Sequence, residues 1–282
     1  MMDMDGEMTG RVCVVTGASG GIGGAAAREL ARRGATMVLV VRSRERGQAV
    51  ADAIARDGVG AARLVLADLG RQADVRRAAD EILASCPRVD VLLNNAGVYT
   101  RKRTLTADGI ETQWAVNHLA PFLLTHLLLP RLIASAPARV VTVSSGAHRS
   151  ADLRLDDVEM RGRRYRGFRQ YANTKLANIH FTRELARRTA GTGVTANALH
   201  PGVVATELLM NGFPPIRLFR RWIRTPEQGA ATAVFLAASP SVAAVTGEYF
   251  QDEHPAPLSP AATHDETARR LWELSERAVG IE

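Results

Sequence analysis

Short runs of β-branched and aliphatic residues alternate along the chain with longer stretches in which apolar positions recur every three or four residues. The short runs read as buried strands over 11–16, 36–41, 61–67, 89–93, 139–143, 194–199 and, shorter, 246–250. The longer stretches read as helices: from Gly23 to about 33, then to about 57, 71–85, and 106–137 with a break or bend at Pro121. Further helices run through Tyr171 to about 188, over 226–238, and at the C-terminus. Strand and helix alternate without an internal repeat, which predicts one α/β domain over 1–282 built on a doubly wound parallel sheet, the Rossmann arrangement. Residues 1–10 read as an N-terminal extension, 203–225 as a lid, and 255–282 as a rigid connector (Pro255 to Pro260) followed by an amphipathic helix. That helix is predicted from capping-box spacing of Thr263 and Glu266 and from a stripe of Leu271, Leu274 and Ala278.

The places where the pattern breaks carry the chemistry. The first strand runs into Gly17-Ala18-Ser19-Gly20-Gly21-Ile22-Gly23 and then an Ala-rich helix, the arrangement that cradles a pyrophosphate. Gly17 permits the tight turn, Gly21 lets backbone amides approach the ligand, and Gly23 lets the helix lie close on the sheet. The second strand ends in Arg42-Ser43-Arg44, where an NAD-selective site would carry an acid; guanidinium and hydroxyl groups suit a 2′-phosphate, so NADP is expected ahead of NAD. Alternatively, Arg42 only opens the exposed helix that follows. The third strand ends in Asp68-Leu69, whose carboxylate either accepts from an adenine amino group or caps the next helix. Asn94-Asn95-Ala96-Gly97 after the fourth strand suits a loop passing against a cofactor.

Tyr171 and Lys175 stand one helical turn apart, in a chain with four tyrosines and with only two lysines among its 36 basic residues. A cation beside a phenol favours phenolate, which predicts a lowered tyrosine pKa and proton exchange with a substrate oxygen. Asn117 is an amide inside an apolar helix and is either hydrogen-bonded there or distorts the helix for a purpose. After the sixth strand come His200-Pro201-Gly202 and an apolar segment to Arg224. That segment reads as a lid over a hydrophobic substrate, as packing for its own core, or as a membrane-surface contact through its arginines.

The formal charge of +7 comes from arginine spread along the whole length and interleaved with acids, so it describes a solvated surface. Arg161 to Arg169, with five arginines around Tyr165 and Phe168, has the composition of a nucleic-acid contact but reads as a solvated loop over a site entrance; no nucleic-acid partner is expected. Cys13 and Cys86 have neither metal-ligand nor disulfide spacing, so no metal is expected and a reducing, cytoplasmic setting fits. The longest apolar run, Leu119 to Leu129, is interrupted by Pro121, Thr125 and His126 and is too short to span a bilayer, and no signal peptide is expected ahead of the first strand.

Taken jointly, Thr16 to Gly23, Asp68, Asn94 to Gly97, Asn117, Ser145, Tyr171 with Lys175, and Pro201-Gly202 resemble the short-chain dehydrogenase/reductase family, in that family's order. The retinol dehydrogenase-like branch is the most similar, through Thr106 to Gly109, Val116 to Leu119, Ser144 to His148, Lys175 to Asn178 and Phe181 to Ala186. The resemblance implies that Tyr171 exchanges a proton with a carbonyl or alcohol oxygen that Ser145, rather than Ser144, holds. Lys175 would lower the tyrosine pKa and bind the nicotinamide ribose, and Asn117 would anchor a water. The Pro201-Gly202 turn, with Val204 and Thr206, would fix the nicotinamide, while Ser19, Ile22, Leu69 and Ala96 would complete the cofactor contacts. It further implies a lipophilic carbonyl or secondary alcohol as substrate and self-association through the helices bearing Asn117 and Tyr171. The alternative from another class is a redox-inactive NADP(H)-binding sensor or scaffold on the same fold.

Overall fold

The structure, a computed structural model, describes residues 7–57, 61–204 and 223–281. Strand β1 (Val12–Thr16) passes through the glycine turn into helix α1 (Gly21–Arg32). There follow β2 (Thr36–Val41), α2 (Arg44–Arg56), β3 (Ala62–Leu66), α3 (Gln72–Ser85) and β4 (Val91–Asn94). The continuous helix α4 (Thr112–Ala134) leads to β5 (Ala138–Val143), α5 (Gly167–Arg188) and β6 (Val194–His200). The chain closes with α6 (Pro226–Ala238), β7 (Tyr249–Gln251), β8 (His254–Pro255) and α7 (Asp265–Val279).

The strands lie in the order β3-β2-β1-β4-β5-β6-β7-β8, parallel as far as β7, with β8 added antiparallel at the edge. Neighbouring side chains on each strand point to opposite faces. Val14, Val38 and Val40 therefore pack under α3, α4, α5 and α7, while Cys13, Val15, Met37, Leu39 and Val41 pack under α1 and α6. Both faces are covered, which is why the strands read as near-continuous apolar runs. The order reverses between β1 and β4, so the loops leaving these strands diverge and open a crevice at the C-terminal edge of the sheet.

Several sequence expectations move. Helix α4 starts at Thr112, not 106, because Gly109 at φ +73° closes a turn over Thr106–Ile110 and Glu111 then caps the helix. Within it, Ala115–Leu119 forms a π-turn just before Pro121, which has no N–H to offer the Asn117 carbonyl. Over its 23 residues α4 is apolar enough to match a membrane span, yet two-thirds of the tested window is buried in the fold, as a core helix requires. Strand β7 begins at Tyr249 because Gly247 at φ +81° turns the chain first, and His254–Pro255 pairs as a strand instead of opening the connector. His264 rather than Thr263 precedes α7; the Thr263 hydroxyl is spent on the Pro260 carbonyl, so no capping box forms. The buried stripe of α7 is Ala268, Leu271, Trp272, Ser275 and Val279, and Ala278 is exposed. Met8, in the expected extension, is buried, and its neighbour Glu7 pairs with Arg33.

Helix α7 packs on the helices bearing Asn117 and Tyr171, the two expected to take part in self-association. Trp272 lies 4.8 Å from Phe122 edge-on and 5.9 Å from Phe181 in a stack, with Arg188 over its ring. Ser275 meets His118 at 2.9 Å, and Asp265 pairs with Arg183 and Arg187. The chain's own C-terminal helix thus covers the aromatic surface formed by Phe122 and Phe181.

Candidate active site

The crevice is built by residues that leave the C-terminal ends of the strands. At the end of β1, Gly17 (φ +66°) and Gly21 (φ +54°) hold left-handed conformations that side chains resist. A Cβ on Gly23 would stand 2.5 Å from the Gly17 carbonyl oxygen and 2.4 Å from Asn95 Nδ2, so the helix can lie this close only without a side chain. Gly20 caps α1 with no side-chain hydrogen bond, and the first turn carries no acid. Its amides therefore present uncompensated positive charge, the requirement for holding a phosphate.

Around this turn the sequence-named residues take distinct places. Thr16 Oγ1 accepts from the backbone N–H groups of Asn95 and Ala96 at 3.0 and 3.1 Å, and Asn95 Nδ2 donates to the Thr16 carbonyl at 2.8 Å. Asn95 thus spends its side chain on fastening Ala96-Gly97 to the glycine turn. Arg42 is exposed just beyond β2, while Ser43 caps α2 by accepting from Arg46 N at 3.3 Å. Arg46, which the pattern did not single out, brings Nη2 within 3.6 Å of the place a Gly20 Cβ would occupy, and a cleft lined by Ser19, Gly21, Arg28 and Arg46 opens there. Asp68 does not cap α3: its Oδ1 accepts from Gly70 N at 2.9 Å, and the α3 amide of Gln72 donates to Asp108 instead. Leu69 is partly buried against the core. A larger cleft of about 900 Å³ lies between α1 and α6 and includes none of Ser145, Tyr171 and Lys175.

On the other side of the crevice, Ser144 is buried with its Oγ donating to the Lys175 carbonyl at 2.7 Å. Ser145, half-buried, accepts from Ala147 N at 3.1 Å, and its side chain is near enough to the Tyr171 hydroxyl to favour the phenolate. Of the two serines only Ser145 faces the tyrosine. Lys175 Nζ donates to the Val143 carbonyl at 2.9 Å and lies 5.5 Å from the centre of the Tyr171 ring. The expectation that this cation lowers the phenol pKa is not met in this geometry. Burial pushes Tyr171 up to about 12, against the opposing influence of Ser145, and burial pushes Lys175 down to about 8. Tyr171 as a residue is only partly buried, which tempers the rise. At neutral pH the phenol is a proton donor, and Ser145 is the side chain that acts on it.

Asn117 accepts from Val98 N at 2.7 Å and donates to the Val98 carbonyl and Thr174 Oγ1. Its amide is satisfied, and it ties the loop after β4 to α4 and α5. Pro201 is buried, Gly202 (φ +84°) lies beneath Arg224, and Val204 is buried in a bridge to Arg224. Thr206 and most of the 203–225 lid lie outside the described residues.

Three features were missed. Tyr99 sets its ring 6.1 Å from that of Tyr171, edge-on. His148 Nδ1 lies 2.8 Å from the Ser145 carbonyl oxygen. Glu111, fully buried, sits beneath both helices; an acid immediately before an apolar helical run was the available signal. Of the segment expected as a solvated loop, Arg161, Gly162, Arg164, Arg166 and Phe168 are exposed, while Arg161 and Arg163 pair with Glu159 and Asp152, Arg169 donates to the Ser150 carbonyl, and Gly167 already begins α5. Cys13 and Cys86 are buried free thiols, and among the described residues no three His, Cys, Asp or Glu side chains are grouped to hold a metal.

The chain is similar to known proteins of one family. The short chain dehydrogenase family model matches residues 11–215. Retinol dehydrogenase 12 from Bos taurus is 44% identical over 283 residues, covering 98% of this chain and 89% of its own. An uncharacterised protein from Mycobacterium paratuberculosis superposes with a TM-score of 0.81 at 36% identity, over 97% of this chain and 95% of that one. A short chain dehydrogenase from Burkholderia cenocepacia in complex with NADP gives 0.71 at 28% identity, over 86% and 96%.

Proposed function

The chain belongs to the short-chain dehydrogenase family of oxidoreductases, and from that premise we propose that it moves hydride between NADP(H) and a lipophilic carbonyl or secondary alcohol. The observation that carries this reading is that Tyr171, with Ser145 acting on its phenol and Lys175 Nζ 5.5 Å from its ring, is grouped with them beyond the C-terminal end of β5. Ser145 would hold the carbonyl oxygen and Tyr171 would give it a proton, or take one from the alcohol in reverse. Lys175 would leave the Val143 carbonyl for the ribose hydroxyls, close enough to Tyr171 to favour the phenolate that forms. The Asn117 side chain is committed to Val98, so its backbone carbonyl, which Pro121 deprives of a helical donor, is the group that would anchor a water beside Lys175.

The cofactor pocket fits a phosphorylated dinucleotide: an uncapped, acid-free helix start behind a turn with no room for a Cβ, and cationic Arg42 and Arg46 at the rim. Gly17 to Gly23 would hold the pyrophosphate, Asp68 the adenine, Arg42, Ser43 and Arg46 the 2′-phosphate, and Pro201, Gly202, Val204 and Thr206 the nicotinamide. Bound there, NADP(H) supplies or receives the hydride. The NADP-bound Burkholderia relative supports the cofactor, and the retinol dehydrogenase relative supports a lipophilic substrate. Two buried free thiols suit a reducing cytoplasm, and any self-association would use a surface other than the one α7 covers.

The test is oxidation of NADPH and of NADH by the purified chain against lipophilic aldehydes, aromatic ketones and quinones. The reading expects turnover with NADPH preferred. Tight NADPH binding without turnover of any of them would favour the sensor alternative.

A further inference from the structure

A carboxylate out of water with no cation to neutralise it is an expensive feature, and a fold retains one only where fixed donors satisfy it. Among the described residues Glu111 is such a group, at 0% exposure and in no ion pair. Its Oε1 accepts from Gln113 N at 3.0 Å and from the Tyr165 hydroxyl at 3.0 Å. Its Oε2 accepts from Trp114 N at 2.8 Å and from Gln170 Nε2 at 2.9 Å. Two of the four donors are the first amides of α4; a third comes from Gln170, the residue before Tyr171 in the first turns of α5; the fourth, Tyr165, leads into that helix. Tyr165 and Gln113 extend the network: Gln113 Nε2 donates to the carbonyls of Thr100 and Gly167 and to the Tyr165 hydroxyl. At Gly167 the two segments touch so closely that a Cβ would stand 2.2 Å from the Thr100 carbonyl oxygen. Thr100 follows Tyr99, whose ring meets that of Tyr171.

We infer that Glu111 is a positioning residue for Tyr171: one buried carboxylate fixes the start of α5 against the start of α4 and so sets where the phenol stands relative to Ser145. This rests on the reductase reading for its kinetic consequence, though the geometry holds without it. An N-cap alone needs only the two backbone bonds to Gln113 and Trp114. The bonds to Gln170 and Tyr165 do nothing for the cap, and they are the ones that reach the catalytic helix. Displacing a reacting group by about 1 Å costs on the order of 100-fold in rate.

The experiment separates the two halves of the carboxylate. Gln170→Met keeps the side-chain volume and leaves both cap bonds in place while removing the direct bond from Glu111 to α5, together with Gln170's bond to the Val158 carbonyl. The expected result is a kcat about 10- to 100-fold below wild type with KM for NADPH within about twofold, because the cofactor cradle on β1 is untouched. Glu111→Gln should lower kcat likewise, and the exchanged pair Glu111→Gln with Gln170→Glu, which restores one carboxylate facing one amide, should recover most of the loss. With 13C at the phenol carbon of the four tyrosines, the Tyr171 signal should move in Gln170→Met, a readout that needs no turnover. A Gln170→Met variant with wild-type kcat and an unmoved Tyr171 signal would overturn the inference, as would an exchanged pair no faster than Glu111→Gln alone. Absence of turnover in the wild-type chain would defeat the reductase reading, and the tyrosine signal would then decide the positioning claim by itself.

Discussion

Placing a methyl group on Gly23 tests whether the glycine turn is a binding surface or only a tight corner. The new Cβ would sit 2.5 Å from the Gly17 carbonyl oxygen and 2.4 Å from Asn95 Nδ2, where real Cβ contacts do not fall below 3.0 Å. Asn95 cannot simply swing away, because its amide holds the Thr16 carbonyl at 2.8 Å and the Gly17 carbonyl at 3.3 Å. The turn must therefore retreat from α1 by at least about 0.5 Å, an overpacking strain of roughly 1–3 kcal/mol. That retreat moves the amides that would face a pyrophosphate, so NADPH affinity should fall by about 10- to 100-fold, which corresponds to roughly 1.4–2.7 kcal/mol. Gly24→Ala is the internal control. Its Cβ would meet the Ala18 carbonyl oxygen at 3.4 Å and Val50 at 3.6 Å, ordinary contacts, and a helical Gly→Ala exchange gains about 1 kcal/mol. Binding is read by NADPH fluorescence titration and stability by thermal melting. Gly23→Ala with wild-type NADPH affinity, or Gly24→Ala with the larger binding loss, would refute the reasoning.

Three further outcomes are expected. Arg42→Asp should move cofactor preference towards NADH by about tenfold or more in kcat/KM, since it sets a carboxylate against the 2′-phosphate; unchanged selectivity would pass that role to Arg46. Lys175→Met should abolish turnover yet raise stability at pH 7 by about 1–3 kcal/mol, read from denaturant midpoints, because it removes a nearly fully buried ammonium. The sign follows from its depressed folded pKa of about 8 against the ordinary 10.5 of a lysine: between those values the unfolded chain binds more protons, so the burial penalty is fully present below about pH 8 and fades as pH rises towards 10.5. The variant's advantage should therefore shrink between those pH values, and a constant advantage would contradict the assignment.

The alternation of apolar runs and amphipathic stretches was enough for the fold, because a parallel sheet buried on both faces leaves no other place for runs such as Val12 to Val15. The same holds for the glycine turn and for Tyr171 with Lys175, whose spacing along one element fixes their geometry. What depended on long-range contact was not legible. Asn95 reads as a loop amide until β1 and β4 are seen side by side with its side chain on Thr16. The coverage of α4 and α5 by Trp272 joins residues about 90 to 150 apart in sequence, and no local pattern announces it. The balance between burial and the cation at Tyr171 depends on where Lys175 points, and it points to the Val143 carbonyl. Glu111 was hidden by a boundary: a helix drawn from 106 puts an acid in its second turn, whereas the turn closed at Gly109 makes the same acid a cap.

The most direct test compares the wild-type chain with Tyr171→Phe, measuring for each the NADPH dissociation constant and kcat with the best lipophilic carbonyl substrate. Removing the proposed proton donor should lower kcat by about 10²- to 10⁴-fold, the usual worth of a general acid, and leave NADPH affinity within about twofold. A Tyr171→Phe chain that still reduced the substrate at the wild-type rate would contradict the account.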